Sequence, residues 1–270
     1  MFAKKHFPKN SDQILSTKTG FSLLELLISL AIVGVLLSSI YAAFRSQLMG
    51  YTTHQAVVEM QQNLRAGMFR LKRDIQMAGS DPGLNAGAGI KVATVNRLSF
   101  TADITGGEHD GKDNDGDGFQ DEGHDRLDND QDGFIDEPDE AEWYDGDTDD
   151  PHERVVFDLK DGKLRRNRQP VSLNIDALNF VYLDGNGNLL DDDGTGSVTT
   201  GLSKIRSVQI TMIARSGSIV PVLFMPVHDN KIYYNQQGHA ILDRAAAPDG
   251  FLRRMLSCEI KCRNLGKYRF

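Results

Sequence analysis

The sequence predicts an α+β fold, a long N-terminal helix packed on an antiparallel β-sheet, and three observations predict it. An apolar run from Phe21 to Phe44 leads without interruption into an amphipathic stripe. After the stripe, short runs rich in β-branched and aromatic residues are bounded by Gly, Asp and Asn. The composition is that of an ordinary globular chain, 270 residues at 40% hydrophobic and 25% charged. That excludes collagen-like, wholly disordered and polytopic membrane classes and leaves ample chain for a core.

The helix comes first. Residues 1–20 carry Lys4, Lys5, Lys9 and Lys18 against Asp12, a net of +3, and end in Thr19-Gly20. The next 24 residues, FSLLELLISLAIVGVLLSSIYAAF, hold one charge, Glu25. As a helix they run about 36 Å, enough to cross a hydrocarbon core of roughly 30 Å. The basic leader stays on the cytoplasmic side, which puts the remainder outside. A secretory signal would place its small-residue cleavage site after the apolar run, whereas Gly20 precedes it. A carboxylate in a lipid-facing helix costs about 2.5–3.5 kcal/mol, so Glu25 marks function, and the apolar run supplies it no partner. Further on, Val57, Met60, Leu64, Met68, Leu71, Ile75 and Ala78 recur at steps of three and four, with Gln61, Gln62, Arg65, Lys72 and Arg73 between them. Gly79, followed by SDPG, ends the pattern. One helix thus extends from about Phe21 to Ala78, roughly 87 Å at 1.5 Å per residue.

Strands are expected at Asn96 to Thr101, Arg154 to Leu159, Lys163 to Asn167, Ala177 to Leu183 and Lys204 to Arg215. Val208, Ile210 and Met212 alternate with Gln209 and Thr211, as a strand with one buried face does. Asp161-Gly162 between two runs signals a hairpin. Leu256, Cys258, Ile260 and Cys262 alternate as well. As a strand, this segment holds its cysteines about 13 Å apart, beyond the roughly 7 Å limit for a disulfide; as a helix, it would let them meet.

The net charge of −8 conceals an uneven distribution. Residues 108–153 carry 21 acids against Lys112 and Arg126, a net of −19, in an otherwise basic chain. Within this stretch DGKDNDGDGFQDEG from Asp110 repeats as DRLDNDQDGFIDEP from Asp125. Each copy reads DxDxDGxxDE. Calcium loops of the EF-hand type take oxygens from positions one, three and five, turn on a glycine at six, take a backbone carbonyl at seven and a ligand at nine. Asp113, Asp115, Asp117, Phe119 and Asp121 fill these ligand positions in the first copy, around Gly118. Asp128, Asp130, Asp132, Phe134 and Asp136 fill them in the second, around Gly133. The twelfth position, His124 or Asp139, lacks the bidentate Glu, and no helix-forming sequence flanks the loops. Both copies therefore resemble the helix-free repeats of thrombospondin type 3 and dockerin-like modules. Oxygen-only ligands imply Ca²⁺, two ions in all. Without metal, carboxylates held about 5 Å apart repel by about 0.8 kcal/mol per pair even in water, so ordering is expected to require calcium. Asp145, Asp147 and Asp149 could extend the array but meet Asp150 where Gly is wanted; Asp184, Asn186 and Asn188 read as a hairpin turn.

GFSLLELLISLAIVGVLL resembles the type III signal of type IV prepilins and pseudopilins. That resemblance implies cleavage by prepilin peptidase between Gly20 and Phe21, N-methylation of Phe21, and neutralisation of a neighbouring subunit's amino terminus by Glu25. MQQNLRAGMFRLKRDIQMAG from Met60, with IYAAFRSQLMGYTTHQ before it and RVVFDLKDGKLRR, ALNFVYLDGNG, LSKIRSVQITMIARSG and CRNL after it, is similar to the PilW type of minor pilin. J-type pseudopilins of type II secretion share the helix. The resemblance implies a type IV pilin-like fold and, as partners, other major and minor pilins, prepilin peptidase and the inner-membrane assembly platform. It also implies a single-pass inner-membrane precursor, its globular domain in the periplasm, which later joins a pilus outside the cell.

The expected organisation is leader (1–20), membrane and assembly helix (21–44), amphipathic half (45–79), first strand region (80–107), acidic calcium insert (108–153) and β-rich globular region (154–270). The function expected is a minor pilin that enters, primes or caps a type IV pilus, with a calcium-stabilised insert. The alternatives are a J-type pseudopilin and a calcium-dependent tip adhesin. No enzyme is expected, because the acids follow metal-loop spacing and no His or Ser stands in a nucleophile arrangement. Nor is a nucleic-acid partner, since no stacking aromatics accompany the bases.

Overall fold

The computed structural model describes residues 20–84, 86–104, 133, 148, 152–191, 194–219, 221–222, 225–226 and 229–266. The chain divides into two compact units, Met1–Leu48 and Met49–Phe270. Helix α1, Leu23–Met77, begins in the first and ends in the second. Its boundaries fall within two residues of the expected Phe21 and Ala78.

In the second unit α1 buries Met60, Leu64, Met68, Leu71 and Ile75, the stripe seen in the sequence, with Val57 packed at its edge. Gly67 lies in this stripe for a steric reason. A Cβ there would sit 3.0 Å from Leu164, 3.1 Å from Met212 and 3.2 Å from Ser172, so even an alanine would require these side chains to give by a few tenths of an ångström. Gly79 ends the helix at φ 73°, and its N–H donates to Thr101 O at 2.9 Å. The Asn264 amide donates to Gln76 O at 3.2 Å, satisfying one of the last helical carbonyls.

Two antiparallel sheets meet this helix. The first is a meander in chain order: β1 Ile90–Ala93, β2 Arg97–Thr101, β3 Arg154–Lys160, β4 Lys163–Arg166 and β5 Gln169–Leu173. The second comprises β6 Ile175–Leu183, β7 Leu189–Leu190, β8 Ser207–Arg215 and β13 Arg253–Lys261, in the order β13-β8-β6-β7. Two small hairpins complete the list of strands: β9 Pro221–Val222 with β10 Met225–Pro226, and β11 Ile232–Tyr234 with β12 Ala240–Asp243. The β3–β4 turn is the expected Asp161-Gly162, at φ 52° and 68°, both left-handed as a type I′ turn requires. Asn167-Arg168 makes a second such turn, at φ 48° and 69°, so β4 stops at Arg166 and Asn167 is not strand.

Two further expectations need correction. The strand expected from Lys204 starts at Ser207, because Gly201 at φ 69° opens a 3₁₀ turn over Leu202–Lys204. Nor does β8 have one wet face, since Ser207, Thr211 and Ile213 are buried along with Val208, Ile210, Met212 and Ala214 on the other side. The far face is covered from the β11–β12 hairpin. Asn235 donates to Asn179 at 3.0 Å and Gln237 to Gln209 at 2.9 Å, so polar side chains of the sheet are paired rather than solvated. Cys258 lies in β13 and Cys262 just after it; both are free thiols, which rejects the helical alternative for this segment. Asp184 caps the β6–β7 turn, accepting from the N–H groups of Asn186 and Asn188 at 2.8 Å, and the Asn188 side chain and backbone hold its carboxyl below the usual range.

Buried charge pins these layers. Asp74 on α1 accepts from Arg166 Nε at 2.5 Å and Arg70 Nε at 3.0 Å. Arg253, with its side chain 0% exposed, donates to Asp176 on β6 at 2.6 Å, to Asp229 at 3.0 Å and to both Asp249 oxygens at 2.7 and 2.6 Å. This guanidinium therefore ties β13 to β6 and to both ends of the covering segment.

Removing part of the seam should be costly where it is buried and cheap where it is not. Leu71→Ala, at 0% exposure, is expected to cost about 2–5 kcal/mol. Phe69→Ala, at 70% exposure, should stay within about 0.5 kcal/mol. Thermal unfolding of both variants measures this directly. Arg253→Met removes the buried cation shared by Asp176, Asp229 and Asp249 and is expected to lose about 3–5 kcal/mol. Asp249 carries the matching pH dependence: hydrogen bonds from Arg253 hold its pKa down to about 2, against roughly 4 when unfolded. Its contribution is complete above about pH 4 and vanishes as pH falls through 2. Melting curves of Asp249→Asn should consequently fall less steeply than those of the parent between these values.

Candidate functional site

The site begins at Gly20, Phe21 and Ser22, which precede the first turn of α1 in extended, exposed chain. Among the described residues nothing lies within 4 Å of a Cβ placed on Gly20, and Phe21 is 86% exposed.

Ser22 and Glu25 form a capping box. The Glu25 N–H donates to Ser22 Oγ at 3.2 Å, and the Ser22 N–H reaches back to Glu25 Oε2 at 3.4 Å. This corrects the expectation that Glu25 has no partner in its own segment. The physical reason is geometric, since a carboxylate at the third helical position curls back over the open N–H groups and favours the positive end of the helix dipole. The signal was present as Ser-x-x-Glu. Among the described residues no cation pairs with Glu25, so the cap satisfies its hydrogen bonding and leaves its charge uncompensated.

From Leu26 to Phe44 the helix is apolar on every side, apart from serines and Tyr41. Leu23, Leu27, Leu30, Val33, Leu37 and Tyr41 are exposed, and so are the residues between them. The α1 window of highest mean hydropathy reaches 2.4 with none of it buried, long and apolar enough to cross a membrane. Its serines hide their hydroxyls: Ser29 donates to Glu25 O at 2.8 Å, and Ser38 and Ser39 to Val35 O at 2.8 and 2.9 Å. With these serine hydroxyls bonded to their own helix, the surface between Leu23 and Ile40 suits lipid or other apolar helices.

The acidic stretch occupies the β2–β3 connection. Thr101 pairs with Arg154, and below that pair the Ala102 N–H donates to Glu153 O at 3.1 Å, the Ile104 N–H to Glu153 Oε1 at 2.8 Å and the Asp103 N–H to Ser80 O at 2.8 Å. Both ends of the excursion are thus clamped at one point beside the end of α1. The metal positions expected from the repeat, Asp113, Asp115, Asp117, Phe119, Asp121, Asp128, Asp130, Asp132, Phe134 and Asp136, lie outside the described residues, as do Asp145, Asp147 and Asp149. Gly133 is described, at φ 102°. Among the described residues no group of three or more His, Cys, Asp or Glu is arranged to hold a metal.

Comparison with known proteins agrees with the N-terminal geometry. Residues 15–41 match the prokaryotic N-terminal methylation motif. Among solved structures, the chain is similar to a type IV-like pilin, TTHA1219 from Thermus thermophilus, at 12% identity and a TM-score of 0.43, over 77% of this chain and 99% of that one. No curated protein matches the sequence. The chain therefore carries a prokaryotic N-terminal methylation motif at the head of an apolar helix, and the second half of that helix packs on antiparallel sheets.

Proposed function

We propose that this chain is a minor pilin of the PilW type, cleaved between Gly20 and Phe21, methylated on the new amino terminus and incorporated in a type IV pilus as a priming or capping subunit. The observation that carries this reading is the coincidence of the methylation motif over residues 15–41 with an exposed Gly20–Phe21 junction two residues before an unburied apolar helix. The precursor sits in the inner membrane through residues 21–44 with its globular unit in the periplasm. In the filament, the uncompensated charge of Glu25 pairs with the positive amino terminus of a neighbouring subunit. A carboxylate in apolar surroundings is least costly where another chain brings the opposite charge.

The acidic excursion serves as a calcium-stabilised appendage on this scaffold, with two Ca²⁺ held by the ten positions of the repeat. Gly133 at φ 102° supports this, because the sixth position of such a loop turns where a side chain would be strained.

Two experiments test these statements separately. Mass spectrometry of the chain from a host that assembles pili should find Phe21 at the amino terminus, one methyl group heavier, and Gly20→Arg should leave the full-length precursor. Intact residues 1–20 on the parent protein would overturn the processing claim. Deletion should abolish piliation with protein export intact, whereas the reverse outcome identifies a secretion pseudopilin. Calorimetric titration with Ca²⁺ should release heat with a stoichiometry near two, and Asp115→Ala with Asp130→Ala should abolish it. A flat titration of the parent would remove calcium from the account.

A further inference from the structure

Strand β13 forms one edge of the second sheet, and among the described residues no strand pairs with its outer side. Its pairing with β8 runs from Arg253 opposite Arg215 to Lys261 opposite Ser207 without a bulge. The bonds flanking that ladder fix which groups face inward. The Ser216 N–H donates to Leu252 O and the Cys262 N–H to Arg206 O, both at 2.9 Å. In steps of two from these pairs, the backbones of Arg254, Leu256, Cys258 and Ile260 bond to β8. The N–H and C=O groups of Met255, Ser257, Glu259 and Lys261 therefore point away from the sheet, and among the described residues they have no backbone partner.

Folded chains blunt such edges with prolines, short strands, bulges or charge. The other edges obey this: β5 carries Pro170, β7 is two residues long and β1 bridges to Val198. On β13 only charge stands guard. Arg254 and Lys261 are exposed and make no ion pair among the described residues, while Glu259 accepts from the Gln209 amide at 3.3 Å. Lys72 of α1 adds a positive charge on the helix side: burial raises the pKa of the Cys258 thiol, and the Lys72 ammonium opposes that rise. Between the charges, Leu256, Cys258 and Ile260 continue the core layer, and Met255 is 46% exposed on the opposite face.

We propose that β13 is the docking edge for an extended strand of a partner protein, added antiparallel, with apolar residues on its helix-side face and acids opposite Arg254 and Lys261. The outward N–H and C=O groups give the affinity, and the alternating side chains give the choice. Apolar residues beside Leu256, Cys258 and Ile260 extend the layer that these begin. A second copy of β13 is the wrong partner. Full antiparallel overlap about Ser257 sets Lys261 opposite Arg253 and Arg254 opposite Ile260, so neither exposed base meets an acid. The charges that repel a copy attract an acidic strand.

The test uses the full chain in detergent micelles with a fluorescently labelled peptide of three Val-Thr repeats between two terminal aspartates, followed by anisotropy. Saturable binding is expected, with slowed amide exchange at Met255, Ser257 and Glu259. Ser257→Pro removes an outward N–H but no bond of the β8 ladder, and should weaken binding at least roughly tenfold. Ser257→Ala, which loses only the hydroxyl bond to Thr211 at 3.1 Å, should leave it unchanged. Arg254→Glu with Lys261→Glu should weaken it as much, yet bind the same peptide carrying lysines for its aspartates, a gain that misfolding cannot produce. No saturable binding, equal affinity of Ser257→Pro and the parent, or indifference to the charge exchange would each overturn the proposal. So would self-association of the parent in sedimentation that Ser257→Pro abolishes, which would make a second copy the occupant. Binding that emerges only when a glycine-serine linker replaces residues 108–153 would overturn it too, because the chain's own acidic stretch would then hold the edge.

Discussion

The second half of α1 is the wall against which both sheets are built, and the rest of the globular unit depends on that contact. Neither sheet has a second layer of its own on the helix side; each buries its apolar face by meeting Met60, Leu64, Met68, Leu71 and Ile75. Gly67 sets how close they come. Leu164 of β4 and Ser172 of β5, from the meander, and Met212 of β8, from the other sheet, all reach the space a side chain would occupy there. Both sheets thus approach the helix closely at this one residue. The Ser172 hydroxyl donates to Asn63 O at 2.8 Å, a bond that only close packing at this point allows.

Around this seam, charge supplies direction where apolar burial supplies adhesion. Hydrophobic contact tolerates sliding, whereas an ion pair out of water tolerates one geometry. Asp74 with Arg166 fixes the register of β4 along α1. Arg253 fixes three separate segments to one point, Asp176, Asp229 and Asp249, and the Tyr233 hydroxyl adds a bond to Asp229 at 3.0 Å. Tyr182 does the same between sheets, its buried hydroxyl donating to Thr94 O at 2.7 Å beside the β1–β2 turn.

The elements legible in the sequence were those whose pattern is local. The stripe on α1 and the alternation in β8 and β13 follow from side-chain period, and the Asp161-Gly162 turn from residues that accept a left-handed backbone. What escaped was set by distant chain. Arg168 adopts φ 69° because the β4–β5 pairing holds it there, and arginine gives no signal of such a turn. The buried outer face of β8 depends on polar pairs with residues some 28 to 56 positions away, which no window of sequence contains. At the N-terminus the junction and apolar run were plain, but the carboxylate of Glu25 was read as a lone charge when Ser22 already stood at capping distance. The calcium repeat rests on sequence and on the left-handed backbone of Gly133, since its ligand positions lie outside the described residues.

The two sulfhydryls following from β13 give the molecule a practical property. Burial pushes the Cys262 thiol up to about 12 and raises that of Cys258, whose Sγ lies 3.0 Å from the Met68 sulfur. Thiols held protonated at neutral pH are poor nucleophiles. Toward maleimide both thiols of the folded chain are therefore expected to react more slowly than an exposed cysteine. A single cysteine introduced at an exposed position, such as in the turn between β11 and β12, can take a fluorophore or spin label without first removing either native sulfur, and so without opening a cavity under the helix.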